Sequence, residues 1–275
     1  MQRATLRVVL IALALGLWGS LAWATTISWD FENGGWPSGP ICCNAVPSVV
    51  NATGGNPDHY ARLTASPTDC GPTFFTTCPR IRAEAWIGQI NDVVGETRTY
   101  KIDLRFPSAN QAVTGHDSLV WQMVNPGPNS PELRTSWIGT QNGRIYIANP
   151  IQPVPHTPLE VNLGGIQGPF PTVQALDLGP LVFDEWHTYV IEMVEAMLPN
   201  TGTIKAWRDG VPFGTIAGQA TIRSVNYTEI YIDVVSDNGV KGIVDFDNAS
   251  LATGGWESPP MAGERTRNYF APKTE

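Results

Sequence analysis

A two-sheet antiparallel β-sandwich is the fold class this sequence predicts, and three observations predict it. Short stretches with a period of two, rich in Val, Ile, Thr, Tyr, Phe and Trp, recur along most of the chain. Between them stand turn formers, within a total of 27 Gly and 23 Pro in 275 residues, and no stretch has a helical period. Charged residues make up only 15% of the chain, which suits a loop-rich β-protein better than a helical one.

The clearest unit runs from Trp186 to Ala217. Thr188, Val190, Glu192 and Val194 alternate with Tyr189, Ile191 and Met193, and Leu198-Pro-Asn-Thr-Gly202 turns the chain. Thr203 to Arg208 and Val211 to Ile216 then flank Asp209-Gly210, where Gly accepts the positive φ of a tight hairpin. Such a meander has an apolar face that other strands must cover, so the rest of the chain is expected to be sheet. Thr25 to Glu32 makes a first strand, closed by Asn33-Gly34-Gly35, and Pro47 to Asn51 and His59 to Thr64 make short ones. Arg80 to Ile87, Thr97 to Phe106, His116 to Asn125, Thr135 to Thr140 and Arg144 to Ala148 follow, the last two joined across Asn142-Gly143. Asn149 to Pro180, rich in Pro and Gly, reads as a long surface excursion. Glu229 to Ser236 and Gly242 to Ala252 complete the strands.

Residues 1–24 read as a signal peptide: Arg3 and Arg7, an apolar run from Val8 to Leu17, and Ala22-Trp-Ala24 as the cleavage site. The expected product is secreted or periplasmic, with one domain over 25–252 and a flexible tail over 253–275. No later stretch is apolar for the ~20 residues that a membrane span needs. The net charge of −8 becomes −10 without the two leader arginines, which argues against nucleic acid as a partner. Cys42, Cys43, Cys70 and Cys78 in an exported chain read as two disulfides, with Cys42 and Cys43 each reaching to Cys70 or Cys78.

Zinc-protease, phosphate-loop and nucleophile-elbow signatures are missing, so candidate chemistry rests on polar residues placed on strands. Alternation puts Arg80, Arg82, Glu84 and Trp86 on one strand face. Two cations, a carboxylate and a ring suit a groove for an anionic sugar, and equally an Arg82–Glu84 pair on a solvated face. Gln122 is a polar group in an otherwise buried strand, grouped by alternation with Ser118, Val120 and Val124; it needs either a specific partner or a ligand. His116 sits at the mouth of that strand. Tyr231, Asp233 and Asp237 share a face of a late strand, where a phenol and two carboxylates suit acid/base work, a structural cation or solvent. Tyr146 is a further phenol on a strand. Asp30, Glu32, Asp245 and Asp247, in the first and last strands, read either as oxygen ligands for a structural calcium or as solvated carboxylates.

With these residues placed, the chain from about Thr25 to Ala252 resembles the heparin-lyase-I-like and alginate-lyase-like polysaccharide lyases, which share the concanavalin A-like β-jelly roll. The marks are Trp29-Asp-Phe-Glu, Arg82-Ala-Glu84, Thr97-Arg-Thr-Tyr-Lys-Ile-Asp-Leu-Arg-Phe-Pro107, Val120-Trp-Gln-Met, Trp186-His187, Gly202-Thr-Ile-Lys-Ala-Trp-Arg-Asp-Gly210 and Phe246-Asp-Asn-Ala-Ser-Leu251. The resemblance implies a monomer that cleaves an anionic, uronate-containing polysaccharide by β-elimination and requires no cofactor. It implies that Arg82 and Gln122 hold the uronate carboxylate; by position rather than motif, Tyr231, His116 or Tyr146 are the candidates to move protons, and Arg80, Glu84, Trp86, Tyr146, Asp233 and Asp237 the candidates to line the groove. Two positions depart from the pattern: Val124 stands where a Gln-x-His strand has its histidine, and Asp237 where the late-strand tyrosine falls. Those departures keep a second expectation open, a carbohydrate-binding jelly roll without catalysis. A glycoside hydrolase would need two carboxylates across a cleft, and no Glu-x-Asp-x-x-Glu spacing occurs.

Overall fold

The computed structural model describes residues 26–29, 31, 41–42, 48–51, 59–65, 81–109, 118–124, 134–141, 143–149, 174–197, 201–222, 227–236 and 242–256, some of them by backbone alone. All the regular structure among them is strand: β1 (Thr26–Trp29), β2 (Ile41–Cys42), β3 (Ser48–Asn51), β4 (His59–Ala65), β5 (Ile81–Asn91), β6 (Thr97–Arg105), β7 (Ser118–Val124), β8 (Arg134–Gln141), β9 (Arg144–Asn149), β10 (Gln174–Pro180), β11 (Trp186–Val194), β12 (Gly202–Arg208), β13 (Val211–Gln219), β14 (Tyr227–Ser236) and β15 (Gly242–Thr253). The first sheet runs β13-β12-β11-β6-β15-β4-β3 with β1 also on β15, and the second runs β10-β9-β8-β7-β14-β5-β2. Chain neighbours are often not sheet neighbours, and the pairings between the strands are antiparallel. No helix of the described residues is long and apolar enough to cross a membrane.

The meander stands as its sequence predicts. β11, β12 and β13 pair in order, and Asp209 and Gly210 take φ of 53° and 79°, the positive pair that a two-residue hairpin requires. The first strand is shorter than expected: Phe31 takes φ 57°, which strand backbone does not allow, and buries its ring edge-on against Phe246 at 5.6 Å. The excursion from Asn149 to Pro180 is corrected at its end, because Gln174–Pro180 pairs with β9 and forms the edge of the second sheet. Beyond Ala252, Gly254 donates its N–H to the Thr97 carbonyl at 2.7 Å and Trp256 its N–H to Glu192 at 2.7 Å, so the chain stays on the first sheet through residue 256.

The core lies between the sheets. Tyr100, Ile102, Leu104, Tyr189, Ile191 and Phe246 of the first face Trp121, Met123, Ile138, Ile147, Ile230 and Ile232 of the second. Each such side chain stabilises the fold by about 1.5–3 kcal/mol, and the Tyr100 and Trp121 rings meet edge-on at 5.5 Å. Gly88 on β5 is required by a close approach: a Cβ there would sit 2.9 Å from the Trp29 ring.

The outer face of the first sheet is held by charge. Asp245, fully buried, pairs in register with Arg62 on β4 and Arg105 on β6. Arg62 donates from Nε and Nη2 at 2.6 and 2.9 Å, and Arg105 from the same atoms at 2.9 and 2.6 Å. The Arg105 guanidinium also lies 4.7 Å from the Tyr60 ring centre and 5.1 Å from that of Trp186. Asp245, one of the four carboxylates considered for calcium, is thus bound by two guanidiniums. Asp247 accepts from Asn248 at 3.0 Å, and Asp30 and Glu32 lie outside the described residues. Just past β11, Glu195 is fully buried, accepting from Val93 N–H at 2.6 Å and Arg98 Nε at 3.1 Å; burial nonetheless pushes its carboxyl up to about 7.

Candidate active site

β14 is the strand that places the candidate residues. Thr228, Ile230, Ile232 and Val234 alternate into the interior, so Tyr227, Glu229 and Tyr231 stand half-buried on the outer face of the second sheet. Tyr231 pairs with Trp86 on β5 and Gln122 on β7, and the ladder carries this row on through Trp137 of β8 to Ala148 of β9. One register step away, Glu229 pairs with Gln89 and Val124. The Tyr231 hydroxyl donates to Glu229 Oε2 at 2.7 Å, joining the two rows.

Bulges adjust the alternation. Ile87 is the extra residue where Ile230 pairs with Gly88 and Tyr231 with Trp86, so both Ile87 and Ile90 reach the core. A second irregularity surrounds Val120, between the pairings of Leu119 and Trp121. Alternation put Val120 on the face opposite Trp121 and Met123, and the structure corrects this grouping: Val120, Trp121 and Met123 are all in the core.

Arg82 pairs with Val235 and Glu84 with Asp233, further along the same strands. Arg82 and Gln122 therefore lie on the two strands that flank β14 in one sheet, with Arg82 four residues from Trp86, about 13 Å along β5. The side chains of Arg82, Glu84, Gln122 and Asp233, and all of Arg80, His116 and Asp237, lie outside the described residues. Tyr146 stands apart from Tyr231, on β9, three strands or about 14 Å from β14. It is buried, and burial, then Asp177, push its hydroxyl up. Asp177 itself is taken by Arg144 at 2.7 Å. Of the cysteines only the backbone of Cys42 is described, so the expected pairing lies outside the described residues.

Glu229 is the residue that sequence reasoning passed over. The spacing Tyr227-x-Glu229-x-Tyr231 was the available signal, three polar tips at period two in a strand whose alternate residues are Thr228, Ile230 and Ile232. Among the described residues no group of three or more His, Cys, Asp or Glu side chains has the arrangement to hold a metal ion.

The sequence matches no protein-family model and no curated protein. Its structure is similar to that of the endo-β-1,4-glucuronan lyase from the fungus Trichoderma reesei, with a TM-score of 0.59 and 18% identity over 83% of this chain and 95% of that one. It is similar too to a family 7 alginate lyase in complex with product (TM-score 0.51, 12% identity, 75% of this chain and 83% of that one). A carbohydrate esterase from the Shiga toxin-encoding bacteriophage phi24B matches at TM-score 0.51 and 11% identity, over 84% of this chain and all of that one. The fold is thus the β-jelly-roll sandwich of polysaccharide lyases, and the esterase shows that the same sandwich carries other carbohydrate chemistry.

Proposed function

We propose that the protein is an exported polysaccharide lyase that cleaves a uronate-containing polymer by β-elimination. The observation that supports this best is the register: Trp86, Tyr231 and Gln122 are partners across three neighbouring strands of a jelly-roll sheet, with Arg82 further along β5 opposite Val235. Elimination needs the uronate carboxylate's charge met, the C5 proton removed and the leaving oxygen protonated. Arg82 and Gln122 meet the charge, Trp86 offers a ring face to a sugar, and Tyr231 moves protons. Arg80, Glu84, Asp233 and Asp237 belong to the same groove in this reading. So written, the reaction calls for no cofactor, and a calcium ion would serve structure only. The protein works as a monomer, held in an oxidising compartment by two disulfides among Cys42, Cys43, Cys70 and Cys78.

The test is incubation of the purified protein with glucuronan, alginate, pectate and heparin, followed in the ultraviolet. An unsaturated, absorbing product from one of them is expected; no absorbance from any of them removes the reading. The absence of the Gln-x-His histidine, with Val124 in its place, favours a second reading, glycan binding without turnover. That reading expects retention on an immobilised uronate polymer with no absorbing product.

A further inference from the structure

We propose that Glu229 is the positioning and proton-holding partner of Tyr231, so that the pair works as one acid/base unit; this rests on the lyase reading above. A phenol titrates near 10, so at neutral pH Tyr231 cannot accept the C5 proton unless its own proton has somewhere to go. Among the described residues, Glu229 Oε2 lies 2.7 Å from the phenolic oxygen and already accepts its hydrogen bond. The direct cross-strand partners of the two residues are Trp86, Gln122, Gln89 and Val124, and none of them ionises. The other ionisable residues on the same three strands are Tyr227 and Asp233 on β14 and Arg82 and Glu84 on β5, with Arg134 on β8 opposite Val124.

The step balances. Tyr231 Oη takes the C5 proton while its phenolic proton moves to Glu229. The C5–H electron pair becomes the C4=C5 double bond, and the C4–O bond breaks toward the glycosidic oxygen. That oxygen takes the proton from Tyr231, and Glu229 returns the stored proton to the phenol. No electrons leave the substrate, and both side chains end as they began. Because one phenol serves both atoms, C5–H and C4–O must lie on the same side of the ring, as in β-D-glucuronate and β-D-mannuronate but not in galacturonate or L-guluronate.

The experiment measures kcat and KM on glucuronan and polymannuronate, from about pH 4 to 9, for the purified wild type, Glu229→Gln, Glu229→Asp, Tyr231→Phe and the Glu229→Gln/Tyr231→Phe double variant. Glu229→Gln keeps an oxygen for the phenol but no site for its proton. Its kcat is expected to fall about 10²–10⁴-fold with little change in KM, and the acidic limb of its pH profile to vanish. The double variant is expected to be no slower than Tyr231→Phe, and Glu229→Asp to keep the limb and recover part of kcat. A Gln variant with wild-type kcat and an unchanged acidic limb overturns the pairing while leaving the lyase reading intact. So does an Asp variant as slow as the Gln variant with no limb, a measurement that stands even if Gln lowers the melting temperature. A wild type that yields no unsaturated product from either polymer overturns this inference, and the lyase reading falls separately only if the wider polymer panel is also silent.

Discussion

On the outer face of the first sheet, Arg62 and Arg105 close on Asp245 with four hydrogen bonds of 2.6 to 2.9 Å, and ring contacts to Tyr60 and Trp186 hold Arg105 in place. On the outer face of the second sheet, Tyr231 and Glu229 share one hydrogen bond and remain half-buried beside Trp86. Both faces put charge and aromatic rings on a pleated surface. In the first, the Asp245 charge is met by arginines on the two adjacent strands, and the result is a clamp. In the second, a phenol and a carboxylate keep contact with the outside, and the result is a place for chemistry. Groups that stabilise a fold are those already satisfied within it; groups that act on a ligand have to be left with capacity to spare.

Replacing Tyr231 by Phe tests the comparison hardest. Removing only the hydroxyl is expected to cut turnover of a uronate polymer by about 10²–10⁴-fold with the melting temperature nearly unchanged, read by ultraviolet kinetics and calorimetry. If stability falls and turnover survives, the second face is structural like the first. Asp245→Ala is the reciprocal change. It leaves two guanidiniums without their carboxylate and is expected to lower stability by about 3 kcal/mol, read as a lower urea midpoint, with kcat unaltered where the protein remains folded. A large loss of kcat in that variant would mean that the first face also touches substrate.

The smallest effect belongs to Glu195. Burial raises its folded-state carboxyl to about 7 against a usual value near 4.3, so between those two pH values the folded state binds more protons than the unfolded one. Its contribution to stability is full below about pH 4 and is lost as pH rises through about 7. The melting temperature of the wild type is therefore expected to drop relative to Glu195→Gln between pH 5 and 8. Parallel melting curves for the two proteins would contradict the assignment.

Much of the fold is legible in the residues. Alternation in Trp186–Val194 and Gly202–Arg208, and the Asp209-Gly210 turn, mark strands that the structure contains. β10 was not legible, because Gln174–Pro180 is an edge strand whose short alternation follows a Pro-rich stretch and itself ends on Gly and Pro. Alternation separated Val120 from Trp121 and Met123, and the structure brings the three together because a bulge shifts the alternation where β7 carries no Gly to announce it. For the candidate site, residue types were visible and partnerships were not. The Arg62–Asp245 contact joins residues 183 positions apart, and Gln122 meets Tyr231 across more than a hundred.

The sequence by itself determined where the chain extends, where it turns and which residues of most strands look inward, because side-chain alternation and turn conformation are properties of a few consecutive residues. Only the tertiary structure decided that β14 runs between β5 and β7, that a bulge turns Val120 inward, and that Glu229 receives the Tyr231 hydroxyl. Those outcomes depend on which faces could be buried together and in what register, and register is settled between strands distant in the chain.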